Sequence, residues 1–264
     1  LNNDRLIGHD IQAFQQRFET KEAKKFSVSN KINGIMVVNG YIVTLFFEKE
    51  KRNMKRILKT YPVVSTLSLT CLLLGLLTSF YGDAMYDLLA FHSKPAYAWQ
   101  YVSGTLMHGS KGAPVWFLWV HLILNGLMVL PFGGLLERKR GSRQVLIVFV
   151  TATALSSIVF HLLTQAQDIQ ATGISAVGYA FVTGGVLLLP NMWKEFSLSV
   201  KLFYLFLVFL SGFMLLPAIT GWISTWLHLS GIASYLLVFI GSRGLKRRSK
   251  LLRRLLSKVF IVLP

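Results

Sequence analysis

Residues 115–136 read VWFLWVHLILNGLMVLPFGGLL, a run without a single charge, and the chain then turns abruptly basic with ERKRGSR at 137–143. At about 1.5 Å of rise per residue, a helix of this length crosses the roughly 30 Å hydrocarbon core of a bilayer. The run also holds two groups that hydrocarbon tolerates poorly, His121 and Asn125, four residues apart and so on one helical face. The length and the basic stop predict a membrane span. The buried polar pair predicts a reason for it.

Five further runs of similar character occur at 62–81, 144–166, 171–190, 200–219 and 222–242. Hydrophobic residues make up 53% of the 264 and the mean hydropathy is +0.52, which leaves a soluble core of this size too little polar cover. The first run follows sixty polar and charged residues and lacks a small-residue cleavage site, so it reads as a span rather than a leader. The expected fold is an all-α membrane protein, a six-helix bundle over residues 61–242.

A net charge of +17 raises the question of nucleic acid, but its distribution follows topology. Twelve Lys and Arg precede residue 62, four lie in 137–143, two are Lys194 and Lys201, and eight follow residue 242. The segments 82–114, 167–170 and 220–221 hold only Lys94 and Lys111. Basic and non-basic loops alternate as the positive-inside rule requires for an even number of spans, with both termini cytoplasmic. The expected setting is a bacterial inner membrane, with the lipid bilayer and no nucleic acid as partner.

Residues 1–60 are expected to form a small cytoplasmic segment of mixed α and β character. Apolar residues recur at helical spacing over 5–25, and Asn39-Gly40 offers a hairpin turn within 34–47. The tail 243–264 sets Leu252, Leu255, Leu256, Val259 and Leu263 against Lys and Arg, the pattern of an amphipathic helix on the anionic inner leaflet. The first outer loop, 82–114, carries Phe91, Tyr97, Trp99, Tyr101, Leu106 and Met107, and is expected to lie partly in the membrane interface. The lone cysteine, Cys71, reads as an apolar packing residue.

No Asp or Glu falls inside the predicted spans. The notable polar residues there are His121 and Asn125 in the second span, His161 in the third, Ser175 in the fourth and His228 in the sixth. Counted from the outer side, His121, Ser175 and His228 lie four to six residues in, roughly 6–10 Å deep. His161 could share that layer from the other direction. A serine hydroxyl becomes a nucleophile when a neighbouring base takes its proton, and His228 is the candidate base. Without an intramembrane carboxylate, a Ser-His dyad fits better than a triad. His121, Asn125 and the Ser175 amide are candidate donors to an oxyanion. Each residue alone has an ordinary reading, because Ser, His and Asn in membrane helices often pack or bridge neighbours. Residue types alone leave protease and proton pathway both open.

The order and context of these residues resemble the rhomboid protease family over about residues 62–242. His121-Leu-Ile-Leu-Asn125 resembles its His-x-x-x-Asn element, Gly133-Gly-Leu-Leu-Glu-Arg-Lys-Arg-Gly-Ser142 the stretch leaving that span, and Met107-His108 a further family histidine of structural kind. Gly173-Ile-Ser175 is similar to the Gly-x-Ser of the nucleophile, and His228-Leu-Ser-Gly231 to the His-x-x-Gly of the last span. The resemblance implies Ser175 as nucleophile, His228 as general base, and His121 with Asn125 at the oxyanion. It also implies hydrolysis of peptide bonds in or near transmembrane segments of membrane-protein substrates, without metal or organic cofactor.

Three positions depart from the family pattern. Ala176 stands where a glycine is usual after the serine, Tyr235 where a small residue lets the fourth and sixth spans approach, and Trp99-Gln100 where the family has Trp-Arg. Bulk at Tyr235 is expected to push Ser175 and His228 apart. Two other readings follow, a catalytically silent relative that binds membrane clients, and a transporter or metal site on His108, His121, His161 and His228. The second lacks the carboxylates and thiolates that usually complete such a site.

Overall fold

A computed structural model describes the backbone of residues 57–261 and side chains as far as residue 243. The helix and hairpin expected within residues 1–56 lie outside the described residues. What is described is almost wholly helical. In chain order the elements are α1 Pro62–Tyr81, α2 Asp83–Leu89, β1 Phe91–His92, α3 Gln100–Leu106 and α4 Val115–Met128. A π-helical turn, Val129–Gly133, joins α4 to α5 Gly134–Arg140; α6 Ser142–Thr164 and β2 Gln170–Ala171 follow. Then come α7 Ser175–Met192, α8 Leu198–Phe213, α9 Pro217–Thr220 and α10 Trp222–Ile261.

Five helical stretches are long and apolar enough to cross a membrane: α1, α4 through α5, α6, α7 with its 3₁₀ extension to Glu195, and Trp222–Arg243 of α10. The fifth predicted span, 200–219, is instead the 16-residue α8. It stops at Phe213, and Pro217, which has no N–H to continue an α ladder, opens the short α9. The predicted tail helix forms, but not as a separate element: α10 runs unbroken from Trp222 to Ile261.

α7 is the axis of the bundle, with 67% of its spanning window buried against 28–39% in the other four. Its small and apolar residues allow this. Val177, Ala180 and Phe181 are sealed among Phe132, Leu136, Val148, Ala152 and Tyr235 from the surrounding helices. Two glycines of α7 receive aromatic rings that a side chain would exclude. A Cβ at Gly184 would sit 2.5 Å from the Tyr235 ring, and one at Gly185 2.3 Å from Phe132. The bulk of Tyr235 is therefore absorbed by a notch in the facing helix. Four residues earlier, Gly231 lets α10 touch the backbone of Ala176, where a Cβ would fall 1.9 Å from the carbonyl oxygen. The expected separation of α7 and α10 does not occur.

Beyond the predicted end of the second span, Glu137 stays buried. Its carboxylate accepts hydrogen bonds from the amides of Val63 (2.9 Å) and Val64 (3.0 Å), two of the donors that the first turn of α1 leaves unpaired. A negative group at a helix N-terminus also suits the helix dipole. The start of α1 is thus fixed to the end of α4–α5.

The first loop between spans, 82–114, divides its aromatic residues between two environments. Tyr97, Trp99 and Tyr101 are exposed, while Phe91 and Met107 are buried. Phe91 packs against Phe160 of α6, ring centroids 4.7 Å apart. Gln100 is fully buried where the family has Arg. Its amide donates to the Asp87 carbonyl (3.0 Å) and accepts from the Tyr97 amide (3.2 Å), so a neutral anchor fills that place.

Candidate active site

The approach to Ser175 is set by backbone before any reactive group appears. β1 and β2 pair antiparallel, Phe91 with Ala171 and His92 with Gln170. The Gly173 amide then donates to the Gly104 carbonyl (3.0 Å), and Thr172 Oγ1 to the Gly109 carbonyl. Gly173 takes φ +121°, open to glycine alone, and α7 begins two residues later with Ser175 itself. The fourth span was expected from residue 171. The β ladder and Gly173 delay the helix, so Ser175 stands in its first turn, where amides have no partner within the helix.

His228 comes from α10, with Nε2 3.2 Å from Ser175 Oγ. Gly231, one turn on, makes this possible by letting α10 close on Ala176. The imidazole lies flat against Tyr179 of α7, centroids 4.3 Å apart and planes 24° from parallel. The Tyr179 hydroxyl donates in turn to the Ser211 carbonyl of α8 (2.7 Å).

His121 and Asn125 reach the same place from α4. A Cβ added at Gly173 would lie 2.9 Å from His121 Nε2 and 3.5 Å from Asn125 Nδ2, so both nitrogens face the backbone just upstream of Ser175. Asn125 Nδ2 is buried without a hydrogen-bond partner among the described residues. His121 Nδ1 is the acceptor for the Gly109 amide (3.3 Å). In a neutral imidazole that leaves the hydrogen on Nε2, the atom facing Gly173.

All four residues line one cavity of about 680 Å³. Phe91, Phe160 and Met128 form part of its apolar wall, and Ser156, Ser157 and Gln170 add polar groups. Its size would hold a short stretch of peptide with water.

His161 does not join them. Its Nδ1 lies 3.3 Å from the Ser93 carbonyl, and the residue is absent from the cavity wall. His108 packs edge-on to His121, centroids 5.3 Å apart, and its Nδ1 lies 3.2 Å from the Leu106 carbonyl. Burial, with the nearby His121 adding to it, pushes the His108 pKa down to about 3. Among the described residues no three of His, Cys, Asp and Glu gather closely enough to hold a metal ion.

Sequence reasoning missed Tyr179 and the Gly109 amide, and it read Gly173 only as part of the Gly-x-Ser motif. Tyr179 carried a usable signal, since it follows Ser175 by four residues and so shares its face. Nothing in the sequence marks a loop amide as the partner of an imidazole.

Comparison with known proteins agrees with this architecture. The Rhomboid domain family matches residues 95–244, more than half of the chain. The rhomboid protease GlpG of Haemophilus influenzae is 29% identical over 107 residues, which is 39% of this chain. That match spans 52% of the relative, about half its length. With five helices fit to cross a bilayer and a family match over most of the bundle, this chain is an integral membrane protein and belongs to the rhomboid family.

Proposed function

We propose that this protein is an intramembrane serine endopeptidase that cleaves transmembrane protein substrates with a Ser175–His228 dyad. The observation that carries the reading is the 3.2 Å approach of His228 Nε2 to Ser175 Oγ at the wall of a cavity large enough for peptide and water. Ser175 Oγ attacks the scissile carbonyl carbon as its proton passes to His228 Nε2. The negative charge that develops on the carbonyl oxygen is met by His121 Nε2–H, Asn125 Nδ2–H and the Ser175 amide. Collapse expels the amine, which takes the proton from His228 and leaves an ester on Ser175. Water, deprotonated by His228, attacks that ester and regenerates the hydroxyl. Tyr179 holds the imidazole plane throughout.

The same reading takes α8 as a sixth span. At 16 residues it extends about 24 Å, a few ångströms short of an average hydrocarbon core, a mismatch that local thinning of the bilayer accommodates. Six spans, with the charge distribution, put both termini in the cytoplasm and the cavity toward the outer face. A relative from a bacterium supports a bacterial inner membrane as the setting.

The test is labelling of detergent-solubilised protein with a fluorescent fluorophosphonate. Wild type is expected to label, and Ser175→Ala and His228→Ala to fail while keeping their helical content. Folded wild type that does not label would turn the reading to a silent client-binding relative. Labelling that survives His228→Ala would remove the dyad.

A further inference from the structure

We propose that the outer strap at residues 108–112, rather than α4, holds His121 as an Nε2–H donor, with Tyr86, Asp87 and Lys111 as positioning residues acting through it. The inference rests on the hydrolytic reading of the site.

The strap links α3 to α4 and is fastened at five points. The Tyr86 hydroxyl donates to the His108 carbonyl (3.0 Å), and Thr172 Oγ1 donates to the Gly109 carbonyl. The Gly109 amide donates to His121 Nδ1 (3.3 Å). Beyond it, Lys111 Nζ reaches Asp87 Oδ1 at 2.6 Å, and the Gly112 amide donates to Asp83 Oδ1 at 3.1 Å. Gln170 Nε2 approaches the same Asp87 oxygen at 3.5 Å. Three of the anchors, Asp83, Tyr86 and Asp87, therefore stand on one short helix, α2.

A neutral imidazole has two tautomers of similar energy, and the hydrogen bond made by one nitrogen decides which the other presents. The Gly109 amide can only donate, so Nδ1 must be bare and Nε2 must carry the hydrogen. Around this ring α4 supplies Phe117, centroids 6.0 Å apart, a contact that fixes no tautomer. At 3.3 Å the Gly109 bond is already long, and a shift of a few tenths of an ångström outward would lose it. Gly109 itself cannot be replaced. It takes φ +91°, and a Cβ would lie 2.2 Å from the Tyr86 hydroxyl oxygen. The Lys111–Asp87 pair is half-exposed, so salt screens it, and the seat of the strap becomes sensitive to ionic strength.

Two readouts on the full chain in detergent test this. The first is the rate at which a fluorophosphonate modifies Ser175. Lys111→Met is expected to slow it roughly two- to fivefold, as for loss of an exposed ion pair, and Tyr86→Phe about tenfold, as for loss of a hydrogen bond. In a His121→Ala background neither substitution should slow it further, and exchanging the pair as Asp87→Lys with Lys111→Asp should restore it. The second readout is ¹⁵N NMR of histidine-labelled protein, with His121 assigned by its loss in His121→Ala. Wild type should show a bare Nδ1 and a protonated Nε2, and Tyr86→Phe a mixture.

Losses that multiply through in the His121→Ala background, or strap variants as fast as wild type, overturn the proposal. So does an Nδ1-protonated ring in wild type. If wild type does not label at all, the hydrolytic reading fails, and the NMR arm still decides the tautomer.

Discussion

At φ +121° Gly173 turns the chain out of the β1–β2 ladder and into α7, and it leaves room for His121 and Asn125 to face the backbone beside Ser175. Asn125 offers one donor without a partner among the described residues. On the proposed hydrolytic reading, Asn125→Ala should slow turnover by no more than ~10²–10³-fold, as for the loss of a single oxyanion donor, with helical content unchanged. A larger loss in folded protein would mean that Asn125 does more than donate. His108 supports a prediction on pH. Its folded pKa of about 3 lies below the unfolded value near 6.5. Between those values the unfolded chain binds the proton and the folded chain does not, so stability is full above the unfolded value and falls as pH drops. At pH 5 the contribution lost is about 2 kcal/mol. The shift in SDS-unfolding stability between pH 7 and pH 5 should shrink by that amount in His108→Asn, and an undiminished shift would refute the assignment.

Element packing decides whether the departures from the family pattern matter. Read as a sequence, Tyr235 predicts a gap between α7 and α10; in the structure its ring enters the notch at Gly184, and the helices meet at Gly231 and Ala176. Tyr235→Ala should then destabilise by about 3–5 kcal/mol through the void it leaves. Gly184→Ala should destabilise the wild type by overpacking yet be tolerated, or even stabilise, in the Tyr235→Ala background. Additive losses in thermal or SDS unfolding would show that the two positions do not pack together. The same complementarity explains why sequence misjudged this point. A pattern of large and small residues along one helix does not reveal which residue on another helix it faces. Glu137 was unreadable for a related reason: it sits in a basic stretch that looks solvated, and its role comes from the start of α1, more than seventy residues away.

For the whole molecule, topology is the property that charge predicts most directly. Reporter fusions after residue 243 and within 193–197 should report the cytoplasm, and insertions near Lys94 or Lys111 the outer side. A fusion near residue 195 that reports the outer side would reverse the orientation. The sequence by itself determined the membrane class, five of the six expected spans as membrane-length helices, and the four residues now gathered at one cavity. Run length, basic stops and the expense of a polar group in hydrocarbon are local properties of the chain, and they need no partner to be read. Tertiary structure alone decided that Ser175 begins its helix and that Gly109 and Tyr179 hold the two imidazoles. Those outcomes depend on a ladder between loops some eighty residues apart and on which backbone groups reach a ring, and hydrogen bonds of that kind leave no periodic trace in sequence.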